Sequence, residues 1–336
     1  MQTEKSISSS VPRPDANGPL RLFALHGTEA LGESIARALG CSLAALEERS
    51  FEDGEHKIRP LENVAGCDVY VVHSLYGGPD GSPNDKLCRL LFFIGALKDA
   101  GAARVTAVTP YLCYARKDRR TKANDPVTIR YLATMFEAVG VDAVVTLEVH
   151  NEAAFENAFR CPSIALSTAP LLIGKIKEIA ADQPITVISP DLGGGKRADL
   201  LHEALEKRLG RPVGKAFVEK HRSAGVVWGD LFAGEVANAV CVIVDDLIST
   251  GGTLVRAAKA ARARGARKVV ACVAHGLFMP GAETALADLS IDRIIATDSV
   301  PPFRLPPGPV LAKLETISAA PLFAETIRRL HENEGL

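Results

Sequence analysis

No apolar run in the chain approaches the roughly 18–20 residues needed to cross a bilayer as a helix. No C-x-x-C pair occurs among its cysteines, which stand singly at positions 41, 67, 88, 113, 161, 241 and 272. There is no excess of either charge, since 39 basic and 40 acidic side chains leave a formal net charge of −1. The first absence argues against a membrane protein. The second argues against zinc ribbons and disulfide scaffolds, and an odd, unpatterned set of thiols points to a reducing cytoplasm. The third argues against a polybasic protein of nucleic acid or membrane surfaces, although it leaves room for a local basic patch. What is present is an ordinary globular composition, 47% apolar over 336 residues, enough for two domains of about 150 residues each.

Met1 to Pro19 is rich in Ser, Pro and polar residues, without periodicity and without the apolar centre of a signal peptide. It reads as a disordered extension over 1–19. From Leu20 onward, short apolar runs alternate with longer amphipathic stretches. The runs are Leu20–Leu25, Val69–His73, Val105–Thr109, Ala143–Leu147, Ile185–Ser189, Val240–Val244, Val269–Val273 and Ile294–Thr297. Helical patterns cover Asn84–Ala100, Val127–Val139, Leu171–Ala181, Ala198–Leu209 and Gly252–Arg264. Several stop at Gly101, Gly140, Gly210 or Gly265, as helices do when a left-handed residue ends them. This alternation predicts βαβ units and largely parallel sheets. Cys161-Pro162 breaks it, which places one α/β domain over 20–165 and a second over 166–336, the latter closed by a helix from Ala320 to Glu334.

The strongest chemical signal follows the run Ala239–Val244. Asp245 and Asp246 come at the end of that strand, where α/β folds bind ligands. Ser249, Thr250, Gly251, Gly252 and Thr253 then lead into a helix. Backbone N–H groups and hydroxyls at a helix N-terminus form a ready phosphate cradle. Carboxylates next to such a cradle suit a phosphorylated sugar, binding its vicinal hydroxyls or a hydroxyl-bound Mg²⁺. A helix-capping turn with an incidental aspartate pair is the plainer alternative.

Four further segments stand out. Phe51-Glu52-Asp53-Gly54-Glu55 is an acidic turn. Pro110-Tyr111-Leu112-Cys113-Tyr114-Ala115-Arg116-Lys117-Asp118-Arg119-Arg120 combines aromatic faces with four cations, which suits a nucleoside triphosphate. His150 and Asp191 each end a strand-like run, the second before Gly193-Gly194-Gly195. Glu219-Lys220-His221-Arg222-Ser223 is a basic segment before Gly225 and Gly229. It is read as a mobile loop whose two cations point to opposite sides and address different phosphates on closure. Each of these has a plainer reading as a surface turn, a solvated charge run or a structural residue.

Together, and in this order, the five segments resemble the ribose-phosphate pyrophosphokinase (phosphoribosyl pyrophosphate, PRPP, synthase) family over about residues 20–330. The resemblance implies two phosphoribosyltransferase-like domains, each a mainly parallel sheet flanked by helices. It implies transfer of the diphosphoryl group of ATP to O1 of ribose 5-phosphate, giving PRPP and AMP. Phe51, Asp53, Gly54, Glu55, Arg116, Lys117 and Asp118 would bind ATP, the first four across a contact with a second copy. Asp245, Asp246, Ser249, Thr250, Gly251, Gly252, Thr253 and Arg222 would bind ribose 5-phosphate. His150 and Asp191 would hold Mg²⁺, and Lys220 and Arg222 would stabilise the transferring group. A homodimer or an assembly of dimers, in the cytoplasm, is expected. The chain departs from the family pattern at Lys117, usually Gln; Glu148, usually Asp; Ala153, often Gln; and Ser249, often Asp. Glu148 and Ala153 bear on the metal shell. A PRPP-consuming transferase would share the Asp-Asp and Thr-Gly-Gly-Thr loop but would not need segments 51–55 and 110–120. A non-catalytic regulatory relative would not need His150, Asp191, Lys220 and Arg222.

Overall fold

Strands buried on both faces appear in sequence as continuous apolar runs, because no position faces water. Asp68–Val72, Ala143–Leu147 and Ile185–Ser189 are each buried at every residue. The computed structural model describes residues 18–223 and 226–334, with the side chains of 219–230 outside the description. Apart from Gly18 and Pro19, the N-terminal extension expected over 1–19 lies outside the described residues.

The first half runs β1 (Leu20–Ala24), α1 (Glu29–Leu39), β2 (Leu46–Ser50), β3 (His56–Pro60), β4 (Asp68–Val72), α2 (Pro83–Asp99), β5 (Arg104–Thr109), α3 (Thr128–Ala138), β6 (Ala143–Leu147), α4 (Glu152–Ala158) and β7 (Ser163–Leu166). The second half runs α5 (Ala169–Ala180), β8 (Ile185–Ser189), α6 (Gly195–Leu209), β9 (Gly214–Ser223), β10 (Val226–Ala233), β11 (Val240–Ile248), α7 (Gly252–Arg262), β12 (Lys268–Gly276), α8 (Ala282–Leu286), β13 (Arg293–Thr297), α9 (Pro309–Ala312), β14 (Leu314–Ile317) and α10 (Ala320–His331). One parallel sheet has the order β1-β4-β5-β6-β7. The other has the order β10-β9-β8-β11-β12-β13-β14 and is parallel except at β9–β10. All the apolar runs named above became strands of these two sheets. β2 and β3 form a separate polar hairpin.

The segment expected to be a loop at 219–223 is instead the end of β9, paired antiparallel with β10. Glu219–Ser223 holds no apolar run to signal a strand, and its pairing rests on the backbone ladder with β10. Positions 220 and 222 also fall on one face of β9, because alternation along a strand repeats every two residues. The expectation of opposite sides is therefore corrected.

Helix boundaries follow local chemistry. Ser82 and Asp85 form a reciprocal capping box with Pro83 at the first turn of α2. α6 stops at Gly210, which takes the left-handed conformation at φ +64°. The closing helix α10 turns back onto the first half. Its Phe323 and Ile327 are fully buried beside Leu22, Ile35 and Tyr70, and each such burial is worth about 1.5–3 kcal/mol. Arg104 forks onto Asp68 at 2.7 and 2.6 Å and also donates to the Leu330 carbonyl of α10. Between the two sheets, Ser74 donates to the Ser299 carbonyl at 2.6 Å. Buried His275 bridges Ser299 and the Leu147 carbonyl at 2.8 and 2.9 Å. These bonds set the end of β6 against β12, which fixes how the two halves share a site.

Candidate active site

β11 carries Asp245 and Asp246, and the chain then turns through Ser249, Thr250 and Gly251 into α7. Gly251 sits at φ +81°, and a Cβ there would lie 2.6 Å from Leu286 Cδ2. Only glycine satisfies both conditions. Gly252, the first residue of α7, has nothing within 4 Å of its Cβ direction, so the helix N-terminus opens onto free space. A cavity of about 160 Å³ lies above it, lined by residues 245–254, Arg116, His150, Asp191 and Arg197. Segments 191–197 and 245–254 thus meet in space with residues 116 and 150 of the first half.

His150 Nδ1 lies 2.9 Å from Asp246 Oδ2. That hydrogen bond raises the imidazole pKa, with burial opposing it. Asp246 is 6% exposed. Burial favours its neutral form, but the bond from His150 and the charge of Arg197 outweigh it, so its pKa falls below the usual carboxylate range. Asp245 moves the other way, because it is buried beside the charge of Asp246. Like charges this close resist joint ionisation, so the pair holds one firm negative charge and one reluctant one. Asp191 Oδ1 accepts the Gly194 N–H at 3.0 Å, which fixes the carboxylate at the start of α6.

Arg197, in the first turn of α6, had no role in the sequence reading. Its Nε donates to Glu148 Oε2 at 3.0 Å, and its Nη1 lies 3.7 Å from Asp245 Oδ1. Glu148 Oε1 accepts the Thr168 N–H and hydroxyl at 2.9 and 3.0 Å. The Glu148 carboxylate therefore anchors Arg197 and the start of α5. Its partner on α6 is 49 residues away, and no sequence spacing announces such a pairing. One signal was available: Lys196 and Arg197 stand at a helix N-terminus, where the helix dipole disfavours cations, which hints at acidic partners.

A second cavity of about 330 Å³ shares His150, Gly193 and Arg197 with the first and adds Asp118, Arg119, Asn151 and Glu152. Asn151 donates to Asp118 at 2.8 Å. Lys117 lines neither cavity. Phe51, Asp53, Gly54 and Glu55 line neither as well. They form the exposed turn between β2 and β3, closed by the Glu55 N–H on Asp53 Oδ1 at 3.0 Å, with Gly54 at φ +91°. Lys220 and Arg222 lie on β9, and their side chains are outside the description.

The residues fit a divalent cation carried in with phosphates. Asp246 holds one ring nitrogen of His150 and leaves Nε2 as the other donor, a common arrangement for metal-binding histidines. Among the described residues no group of three or more His, Cys, Asp or Glu side chains is arranged to hold a metal ion. An imidazole and a carboxylate supplemented by water and phosphate oxygens suit Mg²⁺.

Residues 20–140 match the family model of the N-terminal domain of ribose phosphate pyrophosphokinase, and residues 225–336 match that of the phosphoribosyl synthetase-associated domain. The chain is 35% identical over 318 residues to the ribose-phosphate pyrophosphokinase of Listeria ivanovii, spanning 94% of this chain and 96% of that protein. It is 36% identical over 320 residues to the enzyme of the same name from Pasteurella multocida, spanning 94% and 98%. The crystal structure of phosphoribosylpyrophosphate synthetase from Mycobacterium smegmatis superposes with a TM-score of 0.82 at 32% identity, covering 94% of this chain and 99% of that one.

Proposed function

Because this chain belongs to the ribose-phosphate pyrophosphokinase family, we propose that it transfers the diphosphoryl group of ATP to O1 of ribose 5-phosphate, giving PRPP and AMP. The observation that carries the reading is the convergence of a phosphate cradle, a carboxylate pair and a histidine around one cavity. In the reaction, the C1 hydroxyl oxygen bonds to the β-phosphorus and loses its proton. The bond from the β-phosphorus to the oxygen bridging the α-phosphorus breaks, and AMP leaves. Such chemistry depends on alignment and charge neutralisation more than on covalent catalysis.

Ser249, Thr250, Gly251, Gly252 and Thr253 hold the 5-phosphate with the N-terminal N–H groups of α7. Asp246 accepts from a ribose hydroxyl and holds His150 in place, and Asp245 serves the second hydroxyl. His150 and Asp191 would hold Mg²⁺, which neutralises ATP phosphate charge when bound. Arg116 faces the nucleotide phosphates from the first half, and Asp118 borders the adjoining cavity. Lys220 and Arg222 act from the β9–β10 hairpin on charge developing at the β-phosphoryl group.

The exposed turn with Phe51, Asp53, Gly54 and Glu55 supports a homo-oligomer, because it borders neither cavity of its own chain and is free to serve a neighbour's nucleotide. Phe51 is 41% exposed, which suits stacking on a base. Free thiols, several of them buried, suit a cytoplasmic setting. Light scattering is expected to give a dimer or a multiple of it, and full activity from a monomer of the 35.7 kDa chain would refute this part. The activity itself is tested by AMP release from ATP. It is expected to require ribose 5-phosphate and Mg²⁺, and release of ADP in place of AMP would refute it.

A further inference from the structure

We infer that Arg197 and Glu148 act as one positioning unit that sets Asp245 and Asp246 for the sugar substrate, an inference that rests on the proposed diphosphoryl transfer. Arg197 is only 13% exposed in its side chain and faces three carboxylates, those of Glu148, Asp245 and Asp246. Burial works against its charge, and the carboxylates outweigh it, so it remains a cation. Its Nη2 also donates to the Val149 carbonyl at 3.3 Å, one residue before His150. A planar fork can hold a carboxylate, a carbonyl and a second carboxylate at fixed angles, which an ammonium cannot do.

Glu148 makes the fork rigid from the other side. Its backbone is at φ +40°, a conformation unfavourable for a side-chain-bearing residue. The strain is overcome by bonds on every side: its N–H to the Leu166 carbonyl at 2.8 Å, its carbonyl 3.2 Å from His275 Nε2, and its carboxylate on Thr168 and Arg197. Both carboxylate oxygens are thus engaged within the protein. These bonds give Glu148, a departure from the family pattern, an anchoring role. The unit ties the end of β6 in the first half to α6 and β11 in the second, at the wall shared by both cavities.

The unit acts through Asp245 and Asp246, which Arg197 faces, so its loss should change sugar binding more than nucleotide binding. The test uses the full-length chain with Arg197→Lys, Arg197→Gln, Glu148→Gln and the double Arg197→Gln/Glu148→Gln. Ribose 5-phosphate affinity is read by calorimetry without nucleotide, beside KM for each substrate, kcat and melting temperature. Loss of a charged hydrogen bond is worth about tenfold to a hundredfold in affinity. Arg197→Lys and Arg197→Gln are each expected to weaken ribose 5-phosphate binding by about that factor, while KM for ATP stays within about threefold. The double variant is expected to bind the sugar no worse than Arg197→Gln, because the two residues form one unit.

Additive losses in the double variant would overturn the inference, as would equal losses for both substrates or full rescue by lysine. If Arg197→Gln fails to fold, Arg197→Lys and Glu148→Gln decide: each keeps a polar side chain of similar length but loses the fork or the carboxylate charge, and each is expected to weaken ribose 5-phosphate binding more than it raises KM for ATP. A wild-type enzyme that binds ribose 5-phosphate but releases no AMP would refute the diphosphoryl transfer and leave the positioning result standing or falling on calorimetry alone.

Discussion

Replacing Gly251 by alanine tests the phosphate cradle through two separable costs. The residue sits at φ +81°, and an L-residue held there loses about 1–2 kcal/mol. The new Cβ would lie 2.6 and 2.7 Å from Leu286 Cδ2 and Cγ, inside contact distance of a fully buried side chain of α8. Overpacking of this kind costs about 1–3 kcal/mol, so the variant should lose roughly 2–5 kcal/mol in all. Leu286→Ala alone empties a core position and should cost about 2–5 kcal/mol. The double variant removes the clash and keeps the strain, so its loss should fall short of the sum by about 1–3 kcal/mol. Gly252→Ala, with open space around its Cβ, should change stability by less than about 0.5 kcal/mol. Urea unfolding measures all four, and calorimetry with ribose 5-phosphate reports the cradle. Strict additivity of Gly251→Ala and Leu286→Ala, or unchanged sugar affinity in Gly251→Ala, would refute the reasoning.

Lys220→Ala should lower kcat by about 10²–10³, the effect of removing one donor aimed at developing charge, with ribose 5-phosphate affinity nearly intact; turnover within about threefold of wild type would make Lys220 a surface charge only. Thr250→Val should instead weaken ribose 5-phosphate binding by about 1–3 kcal/mol, seen as a raised KM for the sugar, and an unchanged KM would remove Thr250 from the cradle. His73 is fully buried, and burial, assisted by Lys86, Arg89 and His26, lowers its pKa to about 3. The unfolded imidazole takes up a proton below pH ~6.5 and the folded one does not, so stability should drop as pH falls from about 6.5 toward 3. That amounts to about 2 kcal/mol between pH 7 and 5. His73→Gln should flatten the acid side of the urea-derived stability curve by that amount, and an unaltered slope would show that His73 protonates in the folded protein too.

The parts of the fold that were legible in the sequence are those where burial acts on every residue. β4, β6, β8 and β11 show as unbroken apolar runs because both faces are covered, and α2, α3, α6 and α7 show through their periodicity and end signals. The β9–β10 ribbon did not show, because the end of β9 at Glu219–Ser223 is polar and β10 is interrupted by Gly229 and Asp230. The return of α10 onto α1 was equally hidden, since an amphipathic stripe does not say which sheet it will meet. At the site, the residues that follow strands directly were legible, because a parallel sheet gathers its strand ends on one side. The Arg197–Glu148 pairing was not, because it depends on two halves meeting. The turn at Phe51–Glu55 stood out only through resemblance, because an acidic turn with a glycine is also what an ordinary surface loop looks like.

In the proposed reaction two phosphoryl groups move together, and each phosphorus of ATP can be followed separately. ATP labelled separately at the α-, β- and γ-phosphorus is turned over with ribose 5-phosphate and Mg²⁺, and the products are separated. The α label is expected to stay wholly with AMP, while the β and γ labels appear together on the sugar. Retention of the β label by the nucleotide, with only the γ label on the sugar, would contradict the proposed transfer.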